Sequence, residues 1–221
     1  MTLFWLFACG YSYFTSLREP APPGATVTWQ GYVFQNPDAL EDEVLTDGEL
    51  TVSADGESFP FSQPFEEYPG YWYGEVPVGA EVALTIRGSG LRPARWGMTT
   101  PSGDGIWFSG ALFGVQETWL LTLLEGLLLQ ETIDGAVLVW GAPLDGGTWD
   151  CADVTVNGAP VSCFSLDEAG AVAAVDSGPF TWFFSLDVPA GPITVSTGDV
   201  SFTYQAETRE VVLAHWFEGS P

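Results

Sequence analysis

The sequence has almost no positive charge. It contains no lysine, five arginines and 29 acidic residues, which give a formal net charge of −24. Binding to nucleic acid requires cations that displace counterions from the phosphates, and attraction to anionic lipid headgroups requires cations as well. Both classes of partner are therefore excluded. We expect the acidic residues on solvated faces, where they keep the protein soluble; the alternative is that Asp-rich loops such as Asp38–Asp47 bind Ca²⁺.

Histidine is nearly absent, and its scarcity limits catalysis. The one histidine, His215, lies in an apolar stretch near the C-terminus, and no Gly-x-Ser-x-Gly elbow stands beside it. Metal sites built on histidine pairs are excluded, and no Gly-rich phosphate loop occurs. Paired carboxylates do not single out a glycosidase, because 29 acids offer many pairs. The sequence predicts a non-catalytic protein without a cofactor, with Ca²⁺ as the one alternative.

Long apolar segments are missing, since nothing in the chain approaches the roughly 20 apolar residues that span a bilayer. The short run Leu3–Ala8 is followed at once by Cys9, and Leu6–Cys9 (LFAC) resembles the bacterial lipobox, in which the cysteine is acylated. The Pro-rich stretch Ser16–Ala25 is typical of a semi-rigid spacer. We interpret residues 1–24 as signal, lipobox and tether, which would hold the protein at the cell envelope through an N-terminal lipid alone. The alternative is a first β-strand with a buried free cysteine.

Cysteine is also scarce, with three residues in the chain. Cys151 and Cys163 bracket a segment in which Asn157-Gly158 is a strong turn signal between alternating apolar residues. A hairpin with a three-residue loop and a Gly bulge would place the two cysteines opposite each other. The resulting disulfide agrees with export to an oxidising compartment. Zinc is disfavoured because it requires four ligands, and free buried thiols are the remaining alternative.

The chain does contain many short alternating segments separated by turn residues, at spacings typical of a β-sandwich. In the first half the predicted strands are Thr26–Gln35, Glu49–Ala54, Tyr71–Val76, Glu81–Arg87, Ala94–Thr99 and Ile106–Val115. In the second half they are Ala136–Trp140, Asp153–Val156, Val161–Leu166, Gly170–Val175, Phe180–Val188, Ile193–Ser196, Val200–Gln205 and Arg209–Trp216.

One segment has a helical period. Gln116–Gln130 carries polar residues at nearly 3.6 spacing and leucines almost everywhere else, which predicts a helix whose wide apolar face is covered on most sides. We therefore expect a first β-sandwich domain at residues 25–115, a connecting helix at 116–134 and a second β-sandwich domain at 135–217.

The two halves repeat one order of segments. The stretch EVPVGAEVALT begins at Glu75, and DVPAGPITVST begins at Asp187. In both halves a strand with a glycine, a short valine strand ending in a turn and an aromatic strand precede Val-Pro-x-Gly. Proline ends the aromatic strand because it lacks an N–H, and glycine supplies a turn geometry that other residues resist. The repeat predicts an all-β chain of two tandem sandwiches.

This order resembles a known family. Ala152–Val156, the pair Asp167 and Gly170, the aromatic strand and Val188–Gly191 are similar to the carboxypeptidase regulatory-like domain. The resemblance covers about residues 135–216, and the first copy is more divergent. It implies a transthyretin-like, seven-stranded β-sandwich of bacterial envelope and secreted proteins, without catalytic residues, that serves as a spacer or binding unit. Fibronectin-like and other immunoglobulin-like sandwiches give much of the same pattern.

One stretch suggests a ligand surface. Residues 91–108 bring together Arg92, Arg95, Trp96 and Trp107, which would line a sugar or peptide site; the alternative is that the arginines pair with acids and the tryptophans pack. We therefore expect a membrane-anchored envelope lipoprotein whose sandwiches bind or space an envelope protein or glycan. The alternative function is a Ca²⁺-stabilised carbohydrate-binding protein that uses exposed tryptophans and acidic loops.

Overall fold

The computed structural model describes residues 13–18, 22, 24–36, 43–63, 66–108, 112–142, 150–166, 172–198 and 200–215. Most of these residues lie in strands, so the all-β sandwich prediction is confirmed. The chain divides into two compact units, an N-terminal unit that ends at Trp119 and a C-terminal unit that begins at Leu120. The division falls within the segment 116–134, and the other predicted domain limits stay predictions.

The N-terminal unit is a sandwich of two sheets. Its strands are β1 (Tyr13–Arg18), β2 (Thr26–Phe34), β3 (Glu49–Ala54), β4 (Glu57–Pro60), β5 (Tyr71–Pro77), β6 (Glu81–Arg87), β7 (Leu91–Arg92), β8 (Ala94–Thr99), β9 (Asp104–Phe108), β10 (Leu112–Phe113) and β11 (Val115–Gln116). One sheet has the order β1-β9-β2-β5, with β10 extending the parallel pairing along β2, and the other includes β4-β3-β6-β8. Every second residue of β2 and β3 is buried, as the alternation predicts.

Strand β1 lies before the predicted start of the first sandwich at residue 25. It pairs antiparallel with β9 from Tyr13, opposite Phe108, to Arg18, opposite Asp104. Residues 1–24 are predicted to be a signal, lipobox and tether, whereas the structure includes Tyr13–Arg18 in a sheet. The physical reason is that β9 pairs with β2 on one side only, and an open strand edge accepts a further strand. The predicted lipid attachment residue, Cys9, lies outside the described residues.

The C-terminal unit is a second sandwich. Its strands are β12 (Val137–Ala142), β13 (Val154–Val156), β14 (Ala159–Pro160), β15 (Ser162–Leu166), β16 (Val172–Val175), β17 (Trp182–Val188), β18 (Gly191–Thr197), β19 (Val200–Ala206) and β20 (Val211–His215). The strands run in the order β16-β15-β17-β12-β20 in one sheet and β14-β13-β18-β19 in the other. A core of valines and aromatic residues lies between them.

The two units share one topology. In each, one strand pairs antiparallel with the aromatic strand and parallel with a later strand of the same unit: β2 with β5 and β9, and β12 with β17 and β20. In each, the valine strand forms a hairpin and also pairs with the strand after Val-Pro-x-Gly. Strands β15 and β16 are extra in the second copy, and β1, β7, β10 and β11 are extra in the first. The repeat in the sequence is therefore a repeat of the fold.

The Val-Pro-x-Gly corner has the same place in both copies. It carries the chain from the aromatic strand in one sheet to a strand of the opposite sheet, from β5 to β6 and from β17 to β18. Gly79 ends the first corner with a φ of 61°, and Gly191 ends the second with a φ of 123°. Both values are disfavoured for residues with a Cβ, which explains why glycine stands at each corner.

Substituting the corner glycines should therefore cost stability through the backbone alone. A Cβ on Gly191 would meet no atom within 4 Å, and one on Gly79 would meet only Ser102 Cα at 3.9 Å. We expect Gly79→Ala to lower the free energy of unfolding by about 1 kcal/mol and Gly191→Ala by about 2 kcal/mol. Gly126→Ala in the helix is the matched control and should stabilise by about 0.5 kcal/mol. Chemical denaturation measures all three, and a Gly191→Ala midpoint equal to that of the control would contradict the corner geometry.

The helix is shorter and less covered than predicted. Helix α1 spans Glu117–Gly126, where the sequence analysis expected a helical segment to Gln130. It ends because Leu128 adopts a φ of 58° and the Leu129 N–H bonds back to the Leu124 carbonyl at 2.9 Å. Leu128 is 94% exposed, so the prediction that the leucines are covered on most sides is wrong. No helix in the described part of the chain is long and apolar enough to cross a membrane.

Candidate functional site: a tyrosine surface on the N-terminal sandwich

The predicted ligand residues Arg92 and Trp96 lie inside the N-terminal unit. Arg92 is 5% exposed and forms a bidentate pair with Glu117, in which Nε donates to Oε2 at 2.9 Å and Nη2 to Oε1 at 2.7 Å. The buried Trp96 ring packs edge-on against Phe113, with 4.7 Å between ring centroids. Both side chains therefore contribute to packing rather than to an exposed surface.

The other two predicted ligand residues lie on strands that flank this core. Arg95 is half-buried on β8, opposite Thr85 of β6. Trp107 lies on β9 opposite Trp29 of β2, and its side chain falls outside the described part of the structure. The proposal of a ligand surface over residues 91–108 thus stays a prediction for Arg95 and Trp107, while Arg92 and Trp96 have the packing role that was its alternative.

Tryptophan does not supply exposed stacking surface where the structure describes it. Of the tryptophans with described side chains, Trp119 is half-buried and the remainder are buried: Trp29, Trp72, Trp96, Trp140 and Trp182. The carbohydrate-binding alternative relied on exposed tryptophans, and these residues do not provide them. Among the side chains that the structure describes, the exposed large aromatic ones are Tyr32 and Tyr68.

Four tyrosines of the N-terminal unit, Tyr32, Tyr68, Tyr71 and Tyr73, form what we call the tyrosine surface. Tyr32 of β2 lies opposite Tyr71 of β5, and their rings meet edge to face with 5.2 Å between centroids. Tyr73 follows two residues after Tyr71 and is therefore on the same face of the sheet. Tyr32 is 40% and Tyr68 is 53% exposed, while Tyr71 and Tyr73 are half-buried. The outer face of β2 and β5 thus presents aromatic rings to solvent.

Alternation within the two strands explains this face. Trp72 of β5 points into the core, so its neighbours Tyr71 and Tyr73 point outward. On β2, Trp29 and Val33 are buried, and Tyr32 is on the opposite side. From the sequence, YWYGEV is predicted only as an aromatic strand. The signal that could have identified the surface was the Tyr-Trp-Tyr order, in which the amphipathic ring occupies each outward position.

Tyr68 lies in the tight turn that leads into β5. The Tyr71 N–H donates to the Tyr68 carbonyl at 3.1 Å, and the Val33 N–H donates to the Gly70 carbonyl at 3.1 Å. Gly70 has a φ of 76°, and a Cβ there would lie 2.4 Å from Val44 Cβ. Glycine is therefore required both by the backbone conformation and by the close approach of the neighbouring chain.

The electrostatic setting of the tyrosine surface is acidic. Burial, and then the neighbouring Tyr32, raise the pKa of Tyr71 above its ordinary value, so its phenol stays neutral at physiological pH. Glu66 and Glu67 precede Tyr68 in the same turn, and Glu75 follows Tyr73 on the outer face of β5. The Glu75 carboxylate accepts a hydrogen bond from Thr26 Oγ1 at 3.4 Å. Neutral aromatic rings are thus accompanied by exposed carboxylates.

The acid before the second Val-Pro has a structural role. The Asp187 carboxylate accepts hydrogen bonds from the Thr132 hydroxyl at 2.6 Å and from the N–H groups of Thr132 and Ile133 at 2.8 and 2.9 Å. The bonds from the Thr132 hydroxyl and the Ile133 N–H lower its pKa most. Asp150 similarly accepts from Gly178 and Ala152, whose N–H groups lower its pKa. These carboxylates orient loops of the C-terminal unit.

Calcium remains an untested expectation. The acidic stretch Asp38–Asp47 is described only from residue 43 onward. Within the described residues, no three His, Cys, Asp or Glu side chains are grouped as a metal ion requires. The lone histidine, His215, ends β20, and its side chain lies outside the described part of the chain.

The predicted disulfide between Cys151 and Cys163 is confirmed, and a hairpin does turn at Asn157-Gly158, but the two cysteines do not lie opposite each other across it. Asn157 and Gly158 alone form the turn between β13 and β14, with φ values of 50° and 77°. This is a two-residue loop of the type such a pair favours, not the expected three-residue loop. Cys151 lies in a 3₁₀ helix before β13, and Cys163 lies on β15 in the opposite sheet. The bond therefore links the two sheets through the core.

The fold and this surface define a class: an all-β protein of two sandwich units that share one topology, with an exposed aromatic face on the first. No protein-family model matches the chain, and no curated protein matches it. Among solved structures the chain is similar to the Bacillus anthracis TIE protein, with a TM-score of 0.31 and 10% sequence identity over 87% of this chain. The match covers 34% of that protein, so this chain spans about a third of its length. The resemblance to the carboxypeptidase regulatory-like family stays a prediction.

Proposed function

We propose that the chain is a non-catalytic, membrane-anchored protein of the bacterial cell envelope that binds or spaces another envelope component through its two β-sandwiches. The observation that carries the proposal is the duplicated sandwich, whose first copy has an exposed aromatic face. Aromatic side chains concentrate at recognition surfaces because they combine a large apolar area with a polar tip. The partner is an envelope protein or a glycan, and the net charge of −24 argues against nucleic acid.

The groups that would have suggested chemistry have structural roles in the described residues. Arg92 and Glu117 pair with each other, Asp187 orients a loop, and Cys151 and Cys163 are joined. These assignments support a binding or spacing role over a catalytic one. The disulfide supports export, since such bonds persist in oxidising compartments.

The anchor is tested at Cys9. We expect Cys9→Ala to move the protein from the membrane fraction to the soluble fraction, because the acyl chains that Cys9 would carry contribute about 0.8 kcal/mol for each buried methylene. Fractionation of cells that express the full chain is the measurement. The double variant Cys151→Ala/Cys163→Ala retains Cys9 and is the control, which should remain with the membrane. Unchanged partitioning of Cys9→Ala would show that the lipobox interpretation is wrong.

A Ca²⁺-stabilised carbohydrate-binding protein is the second candidate. The specific observation in its favour is the tyrosine surface, because sugar rings can stack on exposed tyrosine rings as they do on tryptophan. Its original basis, exposed tryptophan, is absent among the tryptophans whose side chains are described. An oligosaccharide titration, described below, separates the two candidates.

A further inference from the structure

We propose that the tyrosine surface binds an extended cationic peptide segment, whose arginine or lysine side chains stack on the rings of Tyr32, Tyr68, Tyr71 and Tyr73 while neighbouring glutamates neutralise their charge. This inference rests on the proposed function, since it names the partner class that the binding module would recognise. In this proposal the peptide contacts one face of the N-terminal sandwich.

Two of the four rings are exposed to solvent. Tyr68 and Tyr32 are 53% and 40% exposed; Tyr32 lies opposite Tyr71 of β5, and Tyr68 lies in the turn that leads into β5. The edge-to-face contact of Tyr32 with Tyr71 fixes the angle between these rings at 77°. Cations within about 6 Å of a ring centroid are held by its quadrupole.

Charge complementarity selects a cation over other ligands. The exposed ionisable side chains that the structure describes in the N-terminal unit, apart from the tyrosines, are all acidic: Glu43, Asp47, Glu49, Asp55, Glu57, Glu66, Glu67, Glu75 and Glu81. By contrast Arg92 is buried, and Arg87 and Arg95 are half-buried. Such a field repels acidic glycans and anionic lipids and accelerates the approach of a basic segment.

The spacing of the rings suits an extended chain. Tyr71 and Tyr73 are alternate residues of one strand, so their Cα atoms lie about 7 Å apart. Alternate side chains of an extended peptide have the same separation. Glu75 continues the row by one further step on the same face of β5. A segment with basic residues at every second position would therefore place successive cations over successive outward side chains.

The full-length protein can be titrated with three probes by calorimetry: acetyl-Gly-Arg-Gly-Arg-Gly-Arg-amide, the same peptide with Glu for Arg, and cellohexaose. We expect the arginine peptide to bind, more weakly as salt increases, and the glutamate peptide not to bind. Tyr32→Thr/Tyr68→Thr should weaken binding about tenfold, because the loss of each exposed ring should weaken it about threefold. The conservative Tyr32→Phe/Tyr68→Phe should bind within about threefold of the parent, because the ring faces remain.

Two controls separate a local site from general attraction to an acidic protein. Val172→Thr removes an apolar side chain of the same 40% exposure from the C-terminal unit and should not change binding. Glu66→Gln/Glu67→Gln beside the tyrosines should weaken binding more than Asp55→Asn/Glu57→Gln in the β3–β4 hairpin, although both pairs remove two charges. Thermal unfolding confirms that each variant folds.

The inference is overturned if the tyrosine variant binds like the parent protein or if both charge pairs weaken binding equally. Tighter binding of cellohexaose than of the arginine peptide would also overturn it and would favour the carbohydrate-binding candidate. These results leave the membrane partitioning of Cys9→Ala unaffected, so failure of this inference is distinguishable from failure of the envelope-anchor proposal.

Discussion

Glu117→Ala should lower the free energy of unfolding by about 3 kcal/mol, because it removes the carboxylate that neutralises a buried arginine. Arg92 is 5% exposed, and two hydrogen bonds of 2.9 and 2.7 Å join it to Glu117. Removing one partner of a buried ion pair leaves the other charge desolvated, which typically costs 3–5 kcal/mol, or about 3 kcal/mol here. We expect the lower end because Glu117 itself is 29% exposed.

The ion pair of Arg92 and Glu117 also lies where strands β7 and β11 meet the start of helix α1. Strands β7 and β11 pair at Arg92, opposite Val115, and the Glu117 N–H donates to the Gly90 carbonyl at 3.0 Å. Glu117 is the first residue of α1, where a negative charge also interacts favourably with the helix dipole. Loss of the carboxylate therefore weakens both the strand junction and the start of the helix.

Denaturant unfolding of three variants tests this role. Glu49→Ala removes an exposed acid and should stay within about 0.5 kcal/mol of the parent protein. The double variant Arg92→Met/Glu117→Leu should recover most of the loss, because an apolar pair of similar volume avoids the buried charge. Equal midpoints for Glu117→Ala and Glu49→Ala would contradict the structural role and would return Arg92 to the candidate ligand residues.

The strands were well predicted where alternation and turn residues agree. Glu49–Ala54, Glu81–Arg87 and Ala94–Thr99 were expected with the boundaries that the structure has. Each alternates apolar and polar residues, and the first ends at Asp55-Gly56, where both residues have positive φ. Local sequence suffices in these places because the side-chain period and the turn chemistry indicate the same boundary.

Features that depend on distant pairing were predicted less well. The disulfide follows from the number and spacing of cysteines, but Cys163 leaves the hairpin and enters the opposite sheet, which only the tertiary fold determines. Strand β1 exists because of the open edge of β9, far along the chain. The burial of Trp96 likewise depends on Phe113 of β10, and that of Arg92 on β11 and α1. Proximity in sequence to Arg95 and Trp107 therefore did not indicate a shared surface.

The tyrosine surface could be predicted in part from the sequence. The order Tyr71-Trp72-Tyr73 separates two faces of a strand, and tryptophan is the residue expected inside. What local sequence does not provide is the register that places Tyr32 opposite Tyr71, across 39 positions of the chain. The pairing of β2 with β5 brings the rings of Tyr32 and Tyr71 together. Such a surface can be predicted only when the pairing of the two strands is known.

Removing the disulfide should destabilise the C-terminal unit by about 3 kcal/mol, as expected for a bond that closes a short loop. The two cysteines are 12 positions apart, and both lie in the core with Val154 and Phe183. Because Cys151 precedes β13 and Cys163 lies on β15, the bond restrains both sheets rather than one hairpin. Its loss therefore frees the connection between the sheets in addition to the loop.

Cys151→Ala/Cys163→Ala tests this linkage without a reducing agent. Its midpoint in chemical denaturation should fall relative to the parent protein, and dithiothreitol should lower the parent midpoint while leaving that of the variant unchanged. Cys9→Ala, which retains the disulfide, is the control and should respond to the reductant like the parent. If a thiol assay instead found Cys151 and Cys163 free in the native protein, the link between the sheets would be absent. The oxidising compartment inferred from it would then lose its support.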